Sequence, residues 1–272
     1  MLEENNNSTV LHLRSLIYSL IFLIGIELIA MMPFQIFDWD GIFIFDNGMK
    51  INFFIYFISF ILFVLSIYAG WQIGKKVIYS FVTWGLATFS VILLLRFIDN
   101  QVQKYIFAGL ISLAFYATLL GAERLRKNTS DLTARSIFSS AFIAMLFLFY
   151  AGMYGFYINF EVPLWLLMLV HLVFSGFATF SSLLVHSNDK VRVALYSVII
   201  SFATMQFVWM ANFWPFGYLT MATASLMFYY ILWDLVHMLF LQELSKKRVL
   251  MNIGLSVILL LMVLISSRWV LV

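Results

Sequence analysis

Residues 246–270 read KKRVLMNIGLSVILLLMVLISSRWV, a basic triplet followed by a run, 249–267, that carries no charge. An α-helix rises about 1.5 Å per residue and the hydrocarbon core of a bilayer is about 30 Å thick, so a run of this length predicts a transmembrane helix. Working back from this segment, apolar runs of similar length recur near 15–34, 52–71, 77–98, 104–122, 136–157, 164–185, 193–213 and 218–241. The expected fold is all-α, a polytopic membrane bundle of about nine transmembrane helices. Residues 1–14 are a short cytoplasmic N-terminal segment and 15–272 a single transmembrane domain.

Composition leads to the same solvent. The chain is 64% hydrophobic and 11% charged, with a mean hydropathy of +0.99, against about half apolar and a quarter charged in a soluble domain. Polar low-complexity tracts, collagen periods and charged heptads are absent. The sequence has no cysteine, which excludes disulfides, thiolate nucleophiles and cysteine-held zinc or iron–sulfur clusters. Its net charge of +3 does not point to nucleic acid, because the basic residues sit in short connections beside apolar runs and not in one patch. The acidic, polar start lacks the basic n-region and small-residue cleavage site of a signal peptide, so the first apolar run is expected to be retained.

Those basic residues set an orientation, since lysine and arginine favour cytoplasmic loops. With the N-terminus inside, twelve of the sixteen face the cytoplasm: Arg14, Lys75, Lys76, Arg124, Arg126, Lys127, Arg135, Lys190, Arg192, Lys246, Lys247 and Arg248. Only Lys50, Arg96, Lys104 and Arg268 fall outside, and the C-terminus is extracytoplasmic. The expected location is a plasma membrane of bacterial type. The outer 35–50 loop, with Phe37, Trp39, Phe43 and Phe45, belongs at the headgroup interface, as does the aromatic hairpin Asn212 to Tyr218.

The chain can also be read as one helix plus two parallel four-helix repeats, 51–157 and 163–270. Ser59, Ser66, Ala87, Thr88 and Phe97 match Ser175, Ser182, Ala203, Thr204 and Phe213 at a constant offset of 116. After a three-residue deletion, Ser112, Leu113, Phe115 and Tyr116 match Ser225, Leu226, Phe228 and Tyr229. Small residues, Gly25 on the first helix and Ala151 with Gly155 on the fifth, permit close helix approach.

Ionisable groups inside the spans are costly unless paired, protonated or facing a cavity, which makes them site candidates. Glu27, His171 and Gln206 fall at one estimated depth, an outer-half polar layer in which Glu27 would titrate and His171 partner it. The bland alternative is a hydrogen bond that only joins helices. Asp234 and His237, spaced i and i+3, share a face of the eighth helix as a relay or inner gate, or snorkel to cytoplasmic water. Arg96, with Asp99 at i+3, reads as a local ion pair near the outer edge.

No zinc helix, phosphate loop, nucleophile elbow or aspartate-rich diphosphate site occurs, and the last three spans contain no lysine for a retinal Schiff base. No catalytic residue, metal ligand or cofactor is therefore assigned. The expected partners are membrane lipids and other membrane subunits, not nucleic acid. Three functions of different class fit. A small-solute or ion transporter or channel is favoured by the buried ionisable residues and the repeat. A membrane-embedded enzyme acting on a lipid or isoprenoid would need one of the carboxylate and histidine pairs. An assembly subunit would use the aromatic surface to bind partner helices.

Overall fold

A computed structural model describes residues 2–31, 47–73, 80–95, 97–98, 100–127, 131–160, 162–184, 189–240 and 245–266. These form α1 (Leu2–Met31), α2 (Asn47–Ile73), α3 (Ser80–Leu95), α4 (Gln101–Lys127), α5 (Leu132–Phe160), α6 (Leu164–Leu184), α7 (Lys190–Ala211), α8 (Tyr218–Phe240) and α9 (Lys246–Ser266), with no strand among the described residues. All of them but α3 are long and apolar enough to cross a membrane. Of the run expected to cross over 77–98, α3 covers 80–95, while 77–79 and Arg96 lie outside the described residues.

Helix is the outcome for every long apolar run because lipid offers no hydrogen-bond partner to the backbone, and only a helix satisfies each N–H and C=O within its own segment. The helix starts are fixed by polar caps in the connections. Asn100 Oδ1 accepts from the Val102 N–H, Asp131 Oδ1 from Thr133 and Ala134, Asp189 Oδ1 from Arg192, and Ser245 Oγ from Arg248. These caps lie four or five residues ahead of the apolar runs. That is why α4, α5, α7 and α9 begin earlier than hydropathy alone places them.

The chain divides into two compact units, Met1–Ala141 and Phe142–Val272, with the division inside α5. In the first, α1 packs on α4 and α2, and α2 packs on α3. Its centre is aromatic: Phe22 stacks on Phe115 at 4.3 Å, and Trp84 meets Phe115 edge-on at 5.1 Å. Two glycines make this packing possible. Leu62 lies where a side chain on Gly25 would be, and the Trp84 indole lies where one on Gly70 would be.

In the second unit α6 runs along α7, α7 packs on α8, and α8 on α9. Gly176 brings α6 against Ser201 of α7, and both Ala151 and Gly155 of α5 are buried. The hairpin after α7 folds back: Trp214 packs with Phe228 and Leu260 on a buried cluster of Phe207, Ala211 and Ala224. In α9 only Ser256 is buried. Packing thus gathers α1 with α2 to α4, whereas the sequence repeat leaves α1 apart. Repeat-related positions nevertheless share local chemistry. Ser66 Oγ donates to the Phe63 carbonyl as Ser182 Oγ does to Thr179, and Thr88 Oγ1 donates to Trp84 as Thr204 Oγ1 does to Ile200.

Candidate functional site

Along α6, His171, Ser175, Thr179 and Ser182 follow at i, i+4, i+8 and i+11, so they line one face, and all four are buried. Each hydroxyl turns back on its own helix. Ser175 Oγ donates to the His171 carbonyl at 2.6 Å, Thr179 Oγ1 to Ser175 at 2.7 Å and Ser182 Oγ to Thr179 at 2.9 Å. Each proton is then committed, and each oxygen is left as an acceptor. Two of those acceptors meet α8: Tyr229 Oη lies 2.9 Å from Thr179 Oγ1, which makes the tyrosine the donor, and Trp233 Nε1 donates to Ser182 Oγ at 2.8 Å.

A matching stripe on α8 consists of Ser225, Tyr229, Trp233 and His237, each four residues on. His237 stacks on Trp233 at 5.0 Å and 7°. From α5, Tyr154 Oη shares a hydrogen bond of 2.8 Å with Ser225 Oγ. Three helices are therefore joined by a seam of hydroxyls and aromatic rings within the second unit.

At one end of the seam His171 is enclosed by rings of α5. Tyr150 stacks on it at 5.2 Å and 13°, with Tyr154 at 5.3 Å and Phe149 at 5.5 Å. Phe149 in turn stacks on Phe174. His171 Nδ1 lies 2.8 Å from the Leu167 carbonyl. A carbonyl only accepts, so Nδ1 carries the proton and the neutral ring presents Nε2 as an acceptor. Both His171 Nε2 and Tyr150 Oη are buried without a hydrogen-bond partner among the described residues. Each such atom costs about 1–3 kcal/mol in a dry interior. Ser59 Oγ, Trp84 Nε1 and Ser112 Oγ of the first unit are in the same condition, on three separate helices. The His171 and Tyr150 atoms differ in belonging to two rings stacked on each other.

The residues singled out from sequence fall on four helices. Glu27 is half-buried on α1 of the first unit, while His171 and Gln206 belong to the second. Gln206 is exposed, on the side of α7 away from its buried face of Ser201, Thr204, Phe207 and Val208, so it does not join the cluster around His171. Asp234 is hydrogen-bonded by the Asn252 amide of α9, and His237 lies flat on Trp233. Arg96, Asp99 and the 35–46 part of the outer loop lie outside the described residues.

Tyr150, Tyr154, Thr179, Ser225 and Tyr229 were not singled out as site residues, although the four-residue spacing of hydroxyl and aromatic groups on three helices was a readable signal. A further carboxylate also emerged. Glu123 reads as the start of a charged loop, yet it is buried in the last turns of α4, with His12 Nδ1 of α1 at 3.9 Å. Among the described residues no three histidine or carboxylate side chains lie close enough to hold a metal ion. No protein-family model, curated protein or solved structure matches the chain.

Proposed function

We propose that this multi-pass membrane protein lets a small polar solute cross the bilayer along the seam between α5, α6 and α8. The observation that carries the reading is the end of that seam, where His171 Nε2 and Tyr150 Oη are buried with hydrogen-bonding capacity unspent. From His171 to Ser182 the stripe covers roughly 16 Å of helix, about half of a hydrocarbon core. An ionisable residue inside a membrane span, as His171 is, marks a functional site by default. The expected orientation puts the His171 end toward the outside.

Flux through the full chain in sealed liposomes tests this. Stopped-flow light scattering after a jump in glycerol, urea or erythritol should show re-swelling faster than in protein-free liposomes, and Tyr150→Phe should slow it. Re-swelling equal to that of empty liposomes for every solute overturns the proposal. A second reading, an assembly subunit, is favoured by α9, whose described surface is exposed apart from Ser256 and a few half-buried positions. It predicts no flux and co-purification of a partner membrane chain in stoichiometric amount.

A further inference from the structure

We infer that His171 Nε2 and Tyr150 Oη form one recognition point for a single uncharged hydroxyl group, whether of water or of a small alcohol. The source of that hydroxyl rests on the passage reading above, but the recognition point itself does not.

The chemistry follows from the two vacant valences. Nδ1 of His171 is committed to the Leu167 carbonyl, which leaves Nε2 as a lone-pair acceptor. Tyr150 Oη has no partner among the described residues, so its O–H is a free donor. A group that fits both must donate one hydrogen bond and accept another, which a hydroxyl does with a single oxygen. The rings that carry the two atoms are stacked, nearly parallel with centroids 5.2 Å apart.

The surroundings select against charge. Phe149, Phe174, Tyr154 and the back-bonded Ser175 line this end of the seam, and no buried side chain of α5, α6 or α8 in the second unit is a carboxylate, lysine or arginine among the described residues. A cation would find no counter-charge, and an anion would face the Nε2 lone pair. Either ion would lose its hydration without replacement. An uncharged hydroxyl loses far less and fills both orphaned positions.

The test uses the full chain in liposomes with ¹⁵N-labelled histidine. His171 is assigned by the signal missing from His171→Phe, and solid-state NMR then reports the state of Nε2. The expected result is an unprotonated Nε2 that accepts a hydrogen bond. If water is the source, that state is present in buffer, is unchanged by glycerol and is altered in Tyr150→Phe. If a solute is the source, the Nε2 signal shifts saturably with glycerol, does not respond to potassium chloride or sodium acetate, and needs about tenfold more glycerol in Tyr150→Phe. A protonated Nε2, or a signal identical in wild type and Tyr150→Phe under all these conditions, overturns the inference. Tyr150→Phe removes one oxygen only, and an unchanged melting curve for its other transitions confirms the fold. A responsive Nε2 without glycerol flux would reject the passage reading alone, and glycerol flux with an Nε2 signal indifferent to Tyr150→Phe would reject this recognition point alone.

Discussion

The Tyr229 hydroxyl donates to Thr179 Oγ1 across 2.9 Å, while the same threonine donates to the Ser175 carbonyl of its own helix. One side chain thus closes its own helix and binds α6 to α8. In hydrocarbon such interhelical hydrogen bonds contribute about 0.6 kcal/mol on average and up to about 1.7.

A double-mutant cycle with Tyr229→Phe and Thr179→Val should therefore show coupling of about 0.6–1.7 kcal/mol in reversible unfolding in detergent or bicelles. Strictly additive effects would mean that the two residues do not bond.

Glycine substitutions should divide by neighbour. Gly70→Ala puts a methyl group into the Trp84 indole and is expected to destabilise by roughly 1–3 kcal/mol, lowering the thermal midpoint. Gly109→Ala in α4 and Gly254→Ala in α9 meet open space and should be neutral or stabilising by up to about 1 kcal/mol. Equal losses at all three sites would contradict the packing of α2 on α3.

Asp234 and Asn252 form the polar tie between α8 and α9, whose only buried residue is Ser256. Asn252→Leu should loosen α9 selectively, raising hydrogen exchange in 246–266 while leaving α6 protected. Uniform exchange along the chain would assign the tie no such role.

Because the sequence has no cysteine, single introduced cysteines report sidedness without background. Phe213→Cys and Lys190→Cys stand near opposite ends of α7, both exposed. A membrane-impermeant maleimide applied to intact cells should label the first, and the second only after permeabilisation. Labelling of both from one side would refute the assigned topology.

Electron cryomicroscopy should find 51–157 superposing on 163–270 with Tyr116 falling on Tyr229, as the shared hydroxyl back-bonds of Ser66 with Ser182 and Thr88 with Thr204 lead one to expect. A different order of helix packing in the two segments would reduce the matches to coincidence.

The lipid solvent, the helical class and the position of nearly every span could be read from the sequence by itself. Hydropathy sums over about twenty residues and needs no knowledge of neighbours. Rise per residue assigns Glu27, His171 and Gln206 one expected depth. Depth, however, is one coordinate, and the direction each residue faces is another. In a soluble helix the polar side shows which face is turned away from the core, but in a bilayer the lipid-facing and buried faces are both apolar, so that contrast is missing. Gln206 accordingly turned out exposed and Glu123 buried, and only packing revealed it. The seam was half legible, in the spacing of His171, Ser175, Thr179 and Ser182 and of Ser225, Tyr229 and Trp233. That these stripes meet each other, and that Tyr150 stacks on His171, was decided by the tertiary structure, because ring stacking and shared hydroxyls depend on how each helix is rotated about its axis.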